Sequence, residues 1–131
     1  MKIRQLPLCG LIAGLLLVCG SAFAHHGTNA SYDTTKHITV TGTVTEFVWA
    51  NPHMQLYFDV KDDKGNVVHW SDEIPDPPYL AQKVGWARDS IKPGDQVTVT
   101  GSPSKAGTPV MVLRRVELPN GKALEGGGSE R

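Results

Sequence analysis

Cysteine is nearly absent from this sequence, which limits both its chemistry and the ways it can be stabilised. The chain of 131 residues has two cysteines, Cys9 and Cys19, and both lie near its start. If that segment is removed, no thiolate remains for catalysis or metal binding, and no disulfide can form. The remaining chain, about a hundred residues long, must rely on one packed core and has no room for a second domain.

Clustered positive charge and catalytic motifs are also missing. Lysine plus arginine and aspartate plus glutamate balance at 13 each, and no basic patch stands out. Because nucleic-acid binding needs clustered positive charge, the composition argues against a nucleic-acid partner. There is no nucleophile elbow, phosphate-binding glycine loop or spaced His-Glu zinc motif, and the acidic residues at 72–76 resemble a solvated strand end. We therefore predict no catalytic residues, and a non-enzymatic role is favoured.

The first 24 residues have the organisation of a secretory signal peptide. Lys2 and Arg4 supply a positive start, and the apolar run from Leu6 to Val18 is short for a membrane span. Ala22 and Ala24 form an A-x-A cleavage site. The sequence thus predicts cleavage after Ala24, a periplasmic or secreted protein, and no membrane span after processing. Retention of the segment as a membrane anchor is the alternative.

Alternating apolar residues predict that the rest of the chain is mainly β-strand. Valine alternates with threonine between His37 and Trp49, and Gly42 within that run suggests a bend. A second run extends from Met54 to Lys61, and a turn ending at Gly65 leads into a returning strand. Two further strands are expected at 96–100 and 109–118.

The register of the central hairpin follows from its apolar residues. If Gly65 closes a bulged three-residue loop, Phe58 faces Trp70, and Asp59 faces His69 on the opposite side. Apolar side chains then collect on one face, as a buried face requires. His69 and Asp59 are expected to form an exposed pair.

A short helix is expected between the third and fourth strands. Asp76 is a plausible N-cap, the following prolines suit a first turn, and Gly85 suits the C-terminal end. This order predicts an all-β fold, a small five-stranded Greek-key barrel of the OB type, with a small open β-sandwich as the alternative. We predict an N-terminal arm at 25–36, the barrel at 37–118 and a flexible tail at 119–131.

Histidines supply the candidate metal ligands. Cleavage after Ala24 would leave His25 first, and its α-amine and imidazole could chelate one ion, with His26 directly behind. His53 and Met54 follow the Asn51-Pro52 breaker; imidazole binds either oxidation state of copper, and thioethers prefer Cu(I). The site predicted is therefore His25, His26, His53 and Met54, with copper as the ion. Strand neighbours point to opposite faces, so His53 and Met54 share an ion only if Pro52 disturbs the strand start.

A ligand face without metal is the second possibility. In an OB fold the surface of strands two and three is the usual binding surface, and His53, Gln55, Tyr57 and Ser71 would line it. Trp49 precedes it and could cover a cation with its ring. Such a face suits a small polar ligand or a partner protein. Alternatively, Trp49 and Met54 fill the core and His53 caps the loop.

Several motifs together resemble a known family. They are His25-His26-Gly27, Val40-Thr41-Gly42-Thr43-Val44, Trp49 with Asn51-Pro52-His53, Gly85-Trp86, and Lys92-Pro93-Gly94-Asp95. These are similar to a family of short exported bacterial proteins, domain of unknown function family 6152. The resemblance implies export and a small β-barrel and implies no activity.

A weaker likeness is to the periplasmic copper chaperones built on a small OB barrel. Those proteins hold Cu(I) with one histidine, two methionines and a nearby tryptophan. His53, Met54 and Trp49 match them by residue type, and Leu56 stands where the second methionine would be expected. A copper-dependent oxidase built on the terminal histidine is a further hypothesis.

Overall fold

The computed structural model describes residues 28–127 as six β-strands and three short helical segments. The strands are β1 (Ile38–Val48), β2 (Met54–Lys61), β3 (Val67–Ile74), β4 (Gln96–Pro103), β5 (Val110–Glu117) and β6 (Ala123–Glu125). The helical segments are α1 (Thr28–Ser31), α2 (Pro78–Ala81) and a 3₁₀ helix (Gln82–Val84). The predicted signal peptide and the His25-His26 end lie outside the described residues.

Five of the strands close into a barrel. The sheet order is β3-β2-β1-β4-β5-β6, and a parallel pairing of β3 with β5 joins the two sides. That seam is short, since Ser71, Asp72 and Glu73 pair with the β5 residues from Val110 to Val112. The predicted all-β, OB-like Greek-key barrel is confirmed, and α2 lies between the third and fourth strands as expected.

Side-chain alternation determines which residues fill the barrel. Met54, Leu56 and Phe58 on β2 are each 0 % exposed, as the alternating pattern predicted. Trp70 on β3 stacks on Phe58, with ring centroids 6.4 Å apart. The opposite wall supplies further buried side chains, which are Val97, Val99, Met111, Leu113 and Val116. The protein thus has one continuous core.

The predicted register of the central hairpin is confirmed. Phe58 pairs with Trp70 and Asp59 pairs with His69 across β2 and β3. On the outer face, His69 Nδ1 lies 2.6 Å from Asp59 Oδ1, which is the exposed pair expected from the sequence. The register places every second residue of both strands on the same outer surface.

The long first strand changes partners at its glycine. β1 pairs with β4 from Ile38 to Thr43 and with β2 from Thr43 to Val48. Gly42 is buried at this point, and a Cβ there would lie 2.5 Å from the carbonyl oxygen of Asp59. The bend predicted at Gly42 therefore coincides with a close approach of two backbones, which only glycine permits.

Gly42→Ala is expected to lower the free energy of unfolding by about 1–3 kcal/mol, because the added methyl group must displace backbone atoms. Thr45→Ala on the same strand, at an exposed position, should change the free energy by less than about 0.5 kcal/mol. Urea denaturation followed by tryptophan fluorescence measures both. Equal stabilities for Gly42→Ala and the wild type would show that the strands can separate here without cost.

The expectation of a flexible C-terminal tail needs correction. Within the predicted flexible tail, Ala123–Glu125 forms β6 along β5, and Leu124 is 2 % exposed. Trp86 Nε1 also donates a hydrogen bond to the Glu125 carbonyl at 2.8 Å. The prediction of a flexible tail was wrong for this segment, because it was based on the glycine-rich composition and did not consider that Leu124 could be buried.

No helix among residues 28–127 has the length and hydropathy needed to cross a membrane.

The start of α2 also differs from the prediction. Pro77 is the N-cap residue, and no side chain donates or accepts a capping hydrogen bond. Asp76, the predicted cap, instead has Oδ2 buried without a hydrogen-bond partner. The C-terminal expectation is confirmed, since Gly85 ends the 3₁₀ helix with a left-handed φ of 98°.

Candidate functional site

His53 is held by the backbone of a neighbouring segment. It lies just before β2, where the strand register brings it opposite Pro75, beyond the end of β3. His53 Nδ1 is 2.7 Å from the carbonyl oxygen of Pro75. A carbonyl oxygen only accepts hydrogen bonds, so Nδ1 carries the hydrogen. In the neutral imidazole the lone pair is then on Nε2, which is the tautomer that metal-binding histidines adopt.

Glu73 faces the free nitrogen of that ring. Glu73 Oε1 lies 3.7 Å from His53 Nε2, and the two side chains are 27 % and 40 % exposed. This distance exceeds the 2.7–2.9 Å typical of a charge-assisted hydrogen bond. Both groups project from the outer face, because Glu73 pairs with Gln55, two residues after His53. His53 Nε2 and Glu73 Oε1 are thus two solvent-accessible atoms, 3.7 Å apart, that could each offer an electron pair to a metal ion.

Met54 is not part of this pair. Its side chain is 0 % exposed inside the barrel, whereas His53 lies on the outer surface. The prediction of Met54 as a metal ligand is therefore wrong, because strand alternation continues through the Pro52 breaker. The peptide bond between Asn51 and Pro52 is cis.

Trp49 is also placed differently from the predicted ligand face. It packs against the core and meets Phe47 edge to face, with ring centroids 6.0 Å apart. Phe47 in turn lies 6.0 Å from Trp86. Trp49 thus belongs to an aromatic cluster with Phe47 and Trp86, which corrects its assignment to the ligand face.

The other residues of the predicted ligand face do lie together. Tyr57 pairs directly with Ser71, and Gln55 pairs with Glu73. Tyr57 is 37 % exposed, and Gln55 and Ser71 are half-buried. These side chains extend the outer surface from His53 along β2 and β3, and their binding role stays a prediction.

The N-terminal arm is anchored to the end of β4 and the loop that follows it. Asp33 donates its amide hydrogen to the Pro103 carbonyl at 2.9 Å, and Lys105 donates to the Ser31 carbonyl at 3.0 Å. Tyr32 between them bridges to Ser104. Burial raises the pKa of the Tyr32 hydroxyl, and the carboxylates of Glu73 and Asp72 raise it further. Glu73 thus acts electrostatically on the Tyr32 hydroxyl.

Comparison with known families agrees with the sequence motifs. Residues 13–112 match the family of unknown function DUF6152. The chain belongs to this family. The resemblance predicted from its motifs is thereby confirmed. No curated protein matches the sequence.

Sequence reasoning missed Glu73 in this DUF6152 protein. The acidic run at 72–76 was interpreted as a solvated strand end, yet Asp72 and Ile74 are 0 % exposed. The signal was present in the predicted register, because pairing Phe58 with Trp70 also brings Glu73 opposite Gln55 and next to His53. Extending the predicted register to the end of β3 would have identified the pair formed by His53 and Glu73.

Asp72 has the most unusual environment in the described part of this DUF6152 protein. Both carboxyl oxygens are buried without a hydrogen-bond partner. Its cross-strand neighbours are Leu56 on β2 and Met111 on β5, which are apolar. Burial raises the pKa of this carboxyl well above its usual value. Asp72 is therefore neutral over part of the pH range in which surface aspartates are charged.

The described residues of this DUF6152 protein do not bring together a complete set of metal ligands. Among residues 28–127, no three histidine, cysteine, aspartate or glutamate side chains form a metal-binding group. His53 and Glu73 provide two donor atoms, so a further ligand is needed from elsewhere. His25 and His26 precede the anchored arm and lie outside the described range.

Proposed function

We propose that this protein is exported and is a non-enzymatic binding protein for copper or a similar metal. The single observation that supports this most is the fixed ring of His53. Its Nδ1 is held by the Pro75 carbonyl, and its Nε2 is turned toward solvent and a carboxylate. A carbonyl contact of this kind orients an imidazole for metal binding and raises its basicity.

The mature N-terminus would complete the site. A terminal histidine offers an α-amine that loses its proton near neutrality, together with an imidazole in the same chelate ring. Glu73 acts electrostatically on the Tyr32 hydroxyl, and helix α1 (Thr28–Ser31) leads back from Tyr32 toward His25. With three residues extended and the helix rising about 1.5 Å per residue, the chain from Tyr32 to His25 spans up to roughly 18 Å. The proposal requires that this length bring His25, with His26 behind it, to His53.

Export fits this chemistry. The positive start, the short apolar run and the Ala22-Phe23-Ala24 site together support removal of residues 1–24, which would expose His25 and remove both cysteines. A thiol-free imidazole and amine site suits an oxidising compartment such as the periplasm. We therefore place the protein in the periplasm or outside the cell.

Calorimetry with protein that begins at His25 tests the proposal. We expect copper to bind more tightly than micromolar, and we expect His53→Ala and His25→Ala each to weaken binding by at least about tenfold, or 1.4 kcal/mol. An extra residue placed before His25 should have a similar effect, because it moves the α-amine away from the imidazole.

His37→Ala is the matched control, since His37 is exposed at the start of the barrel and belongs to neither part of the site. It should bind copper like the wild type. Binding weaker than micromolar by the processed wild type, or unchanged affinity in both His53→Ala and His25→Ala, would contradict the proposal.

A metal-free binding barrel is the second candidate. The observation that favours it is the shared outer surface of Gln55, Tyr57 and Ser71, on which an exposed tyrosine lies directly opposite a serine. Such a surface suits a small polar ligand or a partner protein. A ligand from a screen whose binding is lost in Tyr57→Ala, together with no copper binding, would favour this candidate over the first.

A further inference from the structure

We infer that Glu73 is a direct ligand of the ion bound by His53 and that the site selects Cu(II) over Cu(I). This inference rests on the proposed function, and it adds a ligand and a preferred oxidation state to it. The residue types at the Asn51-Pro52-His53-Met54 turn do not indicate a Glu73 ligand or a preference for Cu(II). The geometry of the outer face of β2 and β3 supports both.

The charges around His53 Nε2 favour a bound cation. The Pro75 contact leaves a lone pair on His53 Nε2, and an anionic oxygen of Glu73 lies 3.7 Å away. When the imidazole is neutral, these two electron-rich atoms repel each other, and a proton on Nε2 or a bound cation offsets that repulsion. Among residues 28–127, His53 is the side chain that pairs with the Glu73 carboxylate. A bound cation would resolve this arrangement.

The gap between His53 Nε2 and Glu73 Oε1 has the size of two metal–ligand bonds. Bonds from a metal to imidazole nitrogen and carboxylate oxygen are about 2.0–2.2 Å long. Two such bonds span the 3.7 Å between Nε2 and Oε1 at an angle of roughly 125°. A small rotation of the half-exposed carboxylate narrows the angle further. The pair is therefore spaced for an ion of this size without movement of the strands.

Soft ligands are absent from the surface beside His53 in the described part of the chain. Cu(I) prefers thiolate and thioether sulfur, and carboxylate and imidazole suit the divalent ion. Both methionines of the described chain, Met54 and Met111, are 0 % exposed in the core. Residues 28–127 contain no cysteine. Only nitrogen and oxygen donors remain at the surface beside His53, which favours Cu(II).

Parallel titrations with Cu(II) and Cu(I) test this inference, each against a chromophoric competitor for that oxidation state. The protein begins at His25, and the variant is Glu73→Gln, which keeps the shape and removes the charge. We expect Cu(II) affinity to fall by at least about tenfold, the lower end of the loss caused by removing even an outer-sphere partner. Cu(I) affinity should stay within about twofold. Glu46→Gln, on the exposed part of β1, is the matched control and should change neither.

Electron paramagnetic resonance of the Cu(II) form provides a second measurement. Glu73→Gln should shift the copper hyperfine coupling, because an oxygen ligand changes, and should keep the nitrogen splitting from imidazole. Equal weakening of Cu(II) and Cu(I) would overturn the selectivity. If His53→Ala abolishes binding and Glu73→Gln changes nothing, the role of Glu73 is overturned and the proposed function stands. If the wild type binds neither ion, both are overturned.

Discussion

Replacing Met54 with alanine is expected to lower the free energy of unfolding by about 2–5 kcal/mol. The thioether is 0 % exposed and belongs to the core formed with Leu56 and Phe58. Truncation removes buried apolar surface and leaves a cavity that the closed barrel has little freedom to fill. Urea denaturation measures the loss. A change below about 1 kcal/mol would mean that the barrel end is loosely packed.

Met54→Leu separates packing from metal binding at the same position. The two side chains have similar volumes, so the free energy of unfolding should change by less than about 1.5 kcal/mol. Copper affinity should be unchanged, because the sulfur faces the core and His53 faces solvent. A marked loss of copper affinity in a stable Met54→Leu protein would restore Met54 as a ligand.

Asp72→Asn is expected to remove a large destabilising effect that the wild type experiences as the pH rises. The carboxyl is fully buried between strands without a hydrogen-bond partner, and burial raises its pKa well above the ordinary value. Below the pKa of the unfolded chain, near 3.8, both states carry the proton and the group has no effect on pH dependence. Above it, the unfolded chain ionises first, so stability falls by about 1.4 kcal/mol per pH unit until the folded-state pKa is reached.

The measurement is the free energy of unfolding between pH 3 and pH 8 for both proteins. The difference between Asp72→Asn and the wild type should increase steadily above about pH 4 in favour of the variant. Asp89→Asn, an exposed aspartate, is the control and should run parallel to the wild type. Parallel curves for Asp72→Asn and the wild type would show that Asp72 ionises equally in the folded and unfolded chains.

The central hairpin shows how much of the fold could be predicted. Its register depends on local alternation and on one turn glycine, and both are visible in sequence. The pairs Phe58 with Trp70 and Asp59 with His69 follow directly. The bend at Gly42 could be predicted for the same reason, because a glycine within a strongly β-forming run usually marks a bend or a close approach of another backbone.

The candidate site was only partly predictable. His53 was identified as an outward-facing imidazole, and its hydrogen bond to the Pro75 carbonyl depends on where β3 ends. Glu73 looked like one of several charged residues in a polar run, and its meeting with His53 needs the full length of the hairpin. The opposite error concerned Met54 and Trp49, whose residue types suggested binding, whereas Met54 is fully buried and Trp49 packs partly buried against the core.

The sequence by itself determined the strand order, the hairpin register and the membership of the outer face, because alternation and turn chemistry act over a few residues. Only the tertiary structure decided the parallel seam of β3 with β5, the pairing of β6 and the burial of Asp72. Those features depend on contacts between segments far apart in the chain, where closure of the barrel overrides the local polarity of a residue. The bridge between Tyr32 and Ser104, which anchors the N-terminal arm, is of the same kind.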